Sequence, residues 1–117
     1  MATRTPVVVL SNLQLSTSLA DTSYTVPANS TLTISAATLN NTTGTGRTVV
    51  INMIPSAGSA TASNEIATNL SVPLSGSTPT VVTALIGQHL GAGGKLQMKA
   101  DAATAVTPLV SGYLTTQ

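Results

Sequence analysis

The chain has 117 residues and a net charge of +1, and charged side chains occupy only 6% of its positions, against an ordinary fraction of about 25%. Four cationic residues give no electrostatic footprint for nucleic acid, and the absence of cysteine excludes disulfides, thiol catalysis and cysteine-ligated zinc. Apolar residues make up 42% of the chain, which favours folding over disorder. Threonine occurs 21 times and serine 13 times, so the surface must be mostly hydroxyl-bearing. Such a surface suits a protein pressed against neighbours or exposed to harsh extracellular conditions.

The first half of the sequence alternates between strand patterns and turns. Residues Val7–Leu15 predict a strand, and the polar segment Ser16–Ser23 predicts a turn. Thr31–Leu39 predicts a second long strand, in which a bulge at Ala36–Ala37 brings Leu39 to the inner face.

Residues Arg47–Ile54 form the best candidate for a central strand. Apolar residues fall on both of its faces, which indicates that the second face is either buried or an interface. The small, polar segment Asn40–Gly46 predicts a loop before this strand. Pro55 ends the strand, and Ser56–Asn64 predicts a long loop after it.

The second half contains shorter patterns of the same kind. Its predicted elements are, in order, a strand from Asn69 to Leu74, a strand over Thr80–Ile86, a helical turn at Gly87–Leu90, a tight hairpin turn at Gly91–Gly94, and strands over Lys95–Asp101 and Val106–Leu114.

Seven or eight short strands, with turn signals about every 8–12 residues and no helical periodicity, predict an all-β fold. We expect a single β-sandwich domain over residues 1–117, jelly-roll or immunoglobulin-like, with antiparallel strands. A small barrel is the alternative. The period-2 alternation predicts a core that includes Leu32, Ile34, Val49, Ile51, Met53, Val72, Leu96, Met98 and Val110.

The residues that could carry chemistry are few and scattered. His89 is the only histidine, and the three carboxylates, Asp21, Glu65 and Asp101, lie far apart in sequence. No Gly-x-Ser-x-Gly elbow is present, and no local spacing of carboxylates suits calcium. We therefore predict no enzyme activity, no catalytic residue, no metal site and no cofactor.

Two further features favour a structural interpretation over a functional one. Lys95 and Lys99 share one polar strand face, which is more typical of a solvated surface than of a basic patch. Gly91–Gly94 precedes a strand, whereas phosphate loops precede a helix. The lack of Phe and Trp weighs against a carbohydrate-binding module or a small hydrolase on a jelly roll.

From Tyr24 to Gly112 the chain resembles small virion proteins of tailed bacteriophages. The segments that carry this resemblance are Tyr24–Asn29, Ala37–Asn41, Arg47–Ile51, the loop after Pro55, Gly87–Gly93, Ala105–Thr107 and Ser111–Gly112. The resemblance implies a head decoration (cement) protein or a tail- or fibre-associated β-sandwich, with no catalytic residues.

The resemblance leads us to expect a capsid decoration protein that binds and stabilises the phage head. Its partners are then the major capsid protein or other virion proteins, and we expect a homo-oligomer, a dimer or trimer, with no nucleic acid, membrane or small-molecule substrate. The alternative is a tail-fibre, collar or neck module with an adaptor or host-attachment role. No stretch matches a signal peptide or a membrane helix, so we expect synthesis in the host cytoplasm and final residence in the virion.

The first residues of the chain predict a contact with another protein. Val7, Val8, Val9 and Leu10 are apolar on both faces of their strand, and they precede the segment that carries the resemblance. A two-sided apolar strand is not satisfied at a solvated sheet edge. We expect residues 1–15 to form an arm that contacts a second copy or the major capsid protein; the alternative is an internal first strand of the sandwich.

Overall fold

The computed structural model describes residues 2–116, which form nine antiparallel strands in two packed sheets. This confirms the predicted all-β sandwich. Two of the strands have only two residues, and they raise the number above the seven or eight expected. The strands are β1 (Thr3–Leu10), β2 (Ser23–Thr25), β3 (Ser30–Asn41), β4 (Arg47–Ile54), β5 (Glu65–Val72), β6 (Thr80–Val81), β7 (His89–Leu90), β8 (Lys95–Ala100) and β9 (Val106–Thr116), with 3-10 turns at Leu19–Asp21 and Ala62–Asn64.

The two sheets have different strand orders. Sheet A has the order β1-β9-β3-β6, and β7 also pairs with β3. Sheet B has the order β2-β8-β4-β5. No strand pair among residues 2–116 joins the sheets, so the described chain forms a sandwich rather than the alternative barrel.

The core lies between the facing sides of the two sheets. Eight of the nine predicted core residues are buried, and Met53 is only half-buried. Met53 pairs with Leu96 one position before the end of the β4–β8 ladder, where the sheets cover less of each side chain. The period-2 pattern therefore identified the inward faces correctly.

Two β-bulges flank the same point of β9. The register of β1 shifts between Val8 and Leu10, and that of β3 shifts between Ile34 and Ala36, both opposite Ser111 and its neighbours. The bulge in β3 turns Leu39 inward, as predicted, but it lies at Ser35, just before the predicted Ala36–Ala37. The bulge in β1 was not predicted, and it buries both Val9 and Leu10 instead of placing them on opposite faces.

The second face of β4 is covered by the chain's own loop. Asn52 and Ile54 are on the side of sheet B away from the core, yet each is only 1% exposed. The Asn52 Nδ2 donates hydrogen bonds to the Thr61 carbonyl at 3.1 Å and to Asn64 Oδ1 at 2.7 Å. The loop between Pro55 and Asn64 thus accounts for the apolar residues on both faces of this strand.

Several local predictions in the second half of the chain were wrong. Residues 87–90 do not form a helical turn, because His89 and Leu90 pair with β3. The turn at Gly91–Gly94 connects β7 in sheet A to β8 in sheet B, so it is not a hairpin turn. Of the strand predicted over Thr80–Ile86, only Thr80 and Val81 form a strand with β3. Val82 donates one further backbone hydrogen bond to Ala37 of β3 at 2.9 Å, and the residues after it form turns.

Candidate functional site

The chemistry-bearing side chains are held in separate local hydrogen bonds. His89 Nδ1 lies 2.9 Å from the Thr33 hydroxyl, and the Asp21 carboxylate accepts a hydrogen bond from the Ser16 hydroxyl at 2.8 Å. Asp101 directly follows β8, and its carboxylate accepts a hydrogen bond from the Thr48 N–H of β4 at 3.3 Å. Within residues 2–116, no group of three or more His, Asp or Glu could hold a metal ion.

The polar surface of sheet B contains shallow depressions rather than a built site. One of about 280 Å³ is lined by residues that include Lys99 and Asp101, and another of about 270 Å³ by residues that include Lys99 and Glu65. The Glu65 carboxylate accepts a hydrogen bond from the Thr68 hydroxyl of its own strand. Lys95 and Lys99 are half-buried on the side of this sheet away from the core. Lys99 lines both depressions, whereas Asp101 and Glu65 each line only one of the two.

The four predicted interface residues lie at the edge of sheet A. Val9 and Leu10 are 7% and 5% exposed and belong to the core, and Val7 is half-buried. Only Val8, which is 59% exposed, is free to contact a partner by its side chain. Residues 3–10 are thus an edge strand of the sandwich, paired along β9, and a partner contact by this segment stays a prediction that concerns Val8.

The hydrogen bonds of Ile34 show which way the backbone of β1 points. The Ile34 N–H donates to the Gln88 carbonyl at 3.0 Å, and the Ile34 carbonyl accepts from the Gly87 N–H at 2.7 Å, both on the side away from β9. In an antiparallel pair, the N–H and C=O of one residue point to the same side. Gly112, opposite Ile34, therefore directs its own groups toward Val7 on β1.

The free edge of β1 is consequently a poor template for another strand. The backbone of Val7 faces β9, so the backbones of Arg4, Pro6 and Val8 face outward. Pro6 has no N–H to donate, and the bulge at Val9 follows directly after Val8. Proline and bulges at an edge oppose strand addition. A partner is better met by the face of the sheet than by its edge.

The side of sheet A away from sheet B carries exposed apolar side chains in two rows across the strands. The cross-strand pairs align Val8 with Ser111 and Ala36 in one row, and Leu109 with Thr38 and Val81 in the next. Val8, Leu109 and Val81 are 59%, 52% and 54% exposed, three of the five large hydrophobic residues most exposed to solvent. We call these six residues (Val8, Ala36, Thr38, Val81, Leu109 and Ser111) the neutral face.

Charge is confined to one end of this surface. The Arg4 guanidinium lies over the ring of Tyr113, 4.3 Å from its centroid. Tyr113 pairs with Thr33, and Thr33 pairs with His89, so Arg4 and His89 lie at the same end of the sheet. The neutral face itself has no ionisable group. Sequence reasoning did not identify Leu109 and Val81 as exposed residues. The alternation of inward Val106 and Val110 with outward residues was a signal for Leu109. Strand β6 has only two residues, so it offered no such pattern for Val81.

The fold and this surface define an all-β sandwich with one exposed, uncharged apolar face. The chain matches no protein-family model, no curated protein and no solved structure. No helix among the described residues is long and apolar enough to cross a membrane.

Proposed function

We propose that this chain is a structural virion protein that decorates the head of a tailed bacteriophage and stabilises its shell. The observation that carries the proposal is the neutral face, which exposes Val8, Leu109 and Val81 on one side of the sandwich. Exposed apolar patches with a polar surround mark protein contacts more often than small-ligand sites. The separate local hydrogen bonds of His89 and Asp21 agree with a binding role rather than a catalytic one.

Physical chemistry supports a role in assembly. Protein contacts made by hydroxyl and small apolar side chains bury few charges, so they avoid the desolvation cost of unpaired ions. A subunit that binds only the assembled shell stabilises that state by mass action. The scarcity of charged residues and the neutral face both suit such contacts.

The resemblance of residues 24–112 to small phage virion proteins supports a virion role, with the major capsid protein or another virion protein as partner, and the low charge of the chain suits the contacts of a head decoration protein. A tail-fibre, collar or neck module is the alternative within the same class. The two differ in copy number, because a decoration protein covers a shell in hundreds of copies whereas a tail part is present in tens or fewer.

Copy number in purified particles tests the proposal. Particles from a host that carries the gene are purified by density gradient, and the protein is quantified by mass spectrometry against the major capsid protein. A ratio that corresponds to hundreds of copies supports head decoration. Tens of copies or fewer indicate the tail alternative, and absence from particles contradicts a virion role.

A further inference from the structure

We propose that the neutral face binds the same face of a second copy, so that the protein assembles as a two-fold dimer joined through sheet A. This names the partner of the face on which the proposed function rests. Three observations support a second copy: the pattern of large and small side chains, the area available, and the distribution of charge.

Large and small side chains alternate on the neutral face. In one row, Val8 is followed by the small residues Ser111 and Ala36; in the next, Leu109 and Val81 stand on either side of Thr38. Packed sheets interdigitate side chains across a gap of about 10 Å. A surface with both projections and hollows can be complementary to itself, as a two-fold interface requires.

The area of this side of the sheet reaches the lower limit for a specific interface. Three strands of sheet A lie side by side, and the central one, β9, has 11 residues. At about 3.4 Å per residue and about 4.8 Å between strands, this whole side of the sheet, which includes the neutral face and extends past Tyr113 to the level of Arg4, covers roughly 500 Å². Two copies then bury about 1,000 Å² in total, the size at which specific interfaces begin.

Charge does not oppose the pairing of identical faces. Like charges that meet across an interface typically cost several kcal/mol of binding free energy. The neutral face carries no charged side chain, so it avoids this cost. The Arg4 guanidinium lies over Tyr113, two residues along β9 from Ser111 and four from Leu109, or roughly 7 Å and 14 Å along the strand, so it lies at one end of the neutral face. A two-fold axis that lies in the plane between the two paired faces, and runs perpendicular to the strands, places the two Arg4 residues at opposite ends of the interface.

The edge geometry favours this face-to-face arrangement over a continuous sheet. Two β1 strands paired antiparallel through their outward backbones would set Pro6 and the bulge at Val9 within the new ladder. Each Pro6 lacks the donor that the ladder needs, and the bulge ends the regular register after Val8. The face, in contrast, needs no new main-chain hydrogen bond.

Sedimentation of the full-length protein tests the inference. A concentration of about 100 µM is well above a micromolar dissociation constant for the dimer. We expect a dimer for the wild type and a monomer for Leu109→Lys, with an unchanged circular dichroism spectrum and, at dilutions where both proteins are monomeric, an unchanged melting temperature. The matched control is Leu74→Lys, since Leu74 is 50% exposed, like Leu109 at 52%, but lies in the loop after β5. We expect this control to remain dimeric.

Crosslinking gives a second test that does not depend on how Leu109→Lys folds. The chain has no cysteine, so Ser111→Cys introduces a single thiol on the neutral face. With a short bismaleimide linker, we expect crosslinked dimers in high yield, and little crosslinking for Thr68→Cys, an exposed position on β5. Equal yields for the two variants, or a wild type that is monomeric at every concentration, would overturn the inference.

Particle binding separates failure of this inference from failure of the proposed function. If the wild type is a dimer that is absent from purified particles, the inference holds and the virion role is lost. If the wild type is monomeric and Leu109→Lys no longer joins particles, the neutral face binds a shell protein instead of a second copy. The inference is then wrong, and the proposed function is retained.

Discussion

Gly112 on β9 faces the carbonyl oxygen of Thr33 on β3 so closely that a β-carbon at position 112 would overlap it. The contact lies beside the two bulges that shift the register of β1 and β3. Only glycine permits this approach, because any other residue brings a β-carbon into the space of the neighbouring backbone. Gly112 therefore allows β3 to approach β9 closely, next to Ser111, which pairs with the exposed Val8 of β1.

Gly112→Ala is expected to destabilise the protein strongly. The added β-carbon must displace the backbone of β3, so we expect a loss at or above the roughly 1–3 kcal/mol typical of overpacking. Urea unfolding measures it. Gly44→Ala is the control, because no atom lies within 4 Å of a β-carbon there. Equal unfolding midpoints for the two variants would show that β9 and β3 are further apart than described.

Replacing Ile51 by alanine should create a cavity between the sheets. Ile51 is fully buried on β4 and pairs with Met98 on β8. We expect a loss of about 2–5 kcal/mol in the free energy of unfolding, seen as a lower melting temperature. Leu74→Ala, at a 50% exposed position in the loop after β5, should change stability little. An unchanged melt for Ile51→Ala would mean that β4 is placed wrongly.

Removal of residues 1–10 distinguishes an arm from a structural strand. Val9 and Leu10 belong to the core, and β1 pairs with β9 over its whole length. We therefore expect the truncated protein to lose cooperative unfolding or to melt far below the full chain. Val8→Lys, which alters only an exposed side chain of the same strand, should fold normally. A truncated protein that melts like the full chain would restore the arm hypothesis.

Stability should decline at high pH through Tyr24. Burial raises the pKa of this phenol above its ordinary value of about 10. In the unfolded chain the phenol ionises near that ordinary value, while in the folded protein it stays protonated to higher pH. Its contribution is thus complete below about pH 10 and is lost as the pH rises through the folded pKa. Unfolding in urea at about pH 9 and about pH 11 should show a smaller decline for Tyr24→Phe than for the wild type.

No hydrolytic turnover is expected on ester or polysaccharide substrates. His89 is exposed, and its Nδ1 lies within hydrogen-bond distance of the Thr33 hydroxyl, which leaves it without a carboxylate partner of the kind a catalytic triad uses. His89→Ala should only remove that hydrogen bond, at a net cost of about 0.5–1.5 kcal/mol. A measured turnover that disappears in His89→Ala would contradict the prediction.

The sequence alone determined the fold class and most of the core. A strand such as Lys95–Ala100 alternates apolar and polar residues with period 2, and this local pattern is enough to assign its inward face. The bulge that turns Leu39 inward could also be inferred, since it leaves a break in the alternation of a single strand.

Only the tertiary structure decided which apolar residues remain exposed. Ile54 and Val81 look alike in sequence, yet Ile54 is covered by the Pro55–Asn64 loop and Val81 is left on the neutral face. The physical reason is that the segments which bury an outward-facing side chain can be distant from it in sequence. In the same way, the outward direction of the Pro6 backbone follows from hydrogen bonds on β3, two strands away. Local periodicity reports the two faces of a strand, but which face meets another part of the chain depends on the packing of the whole.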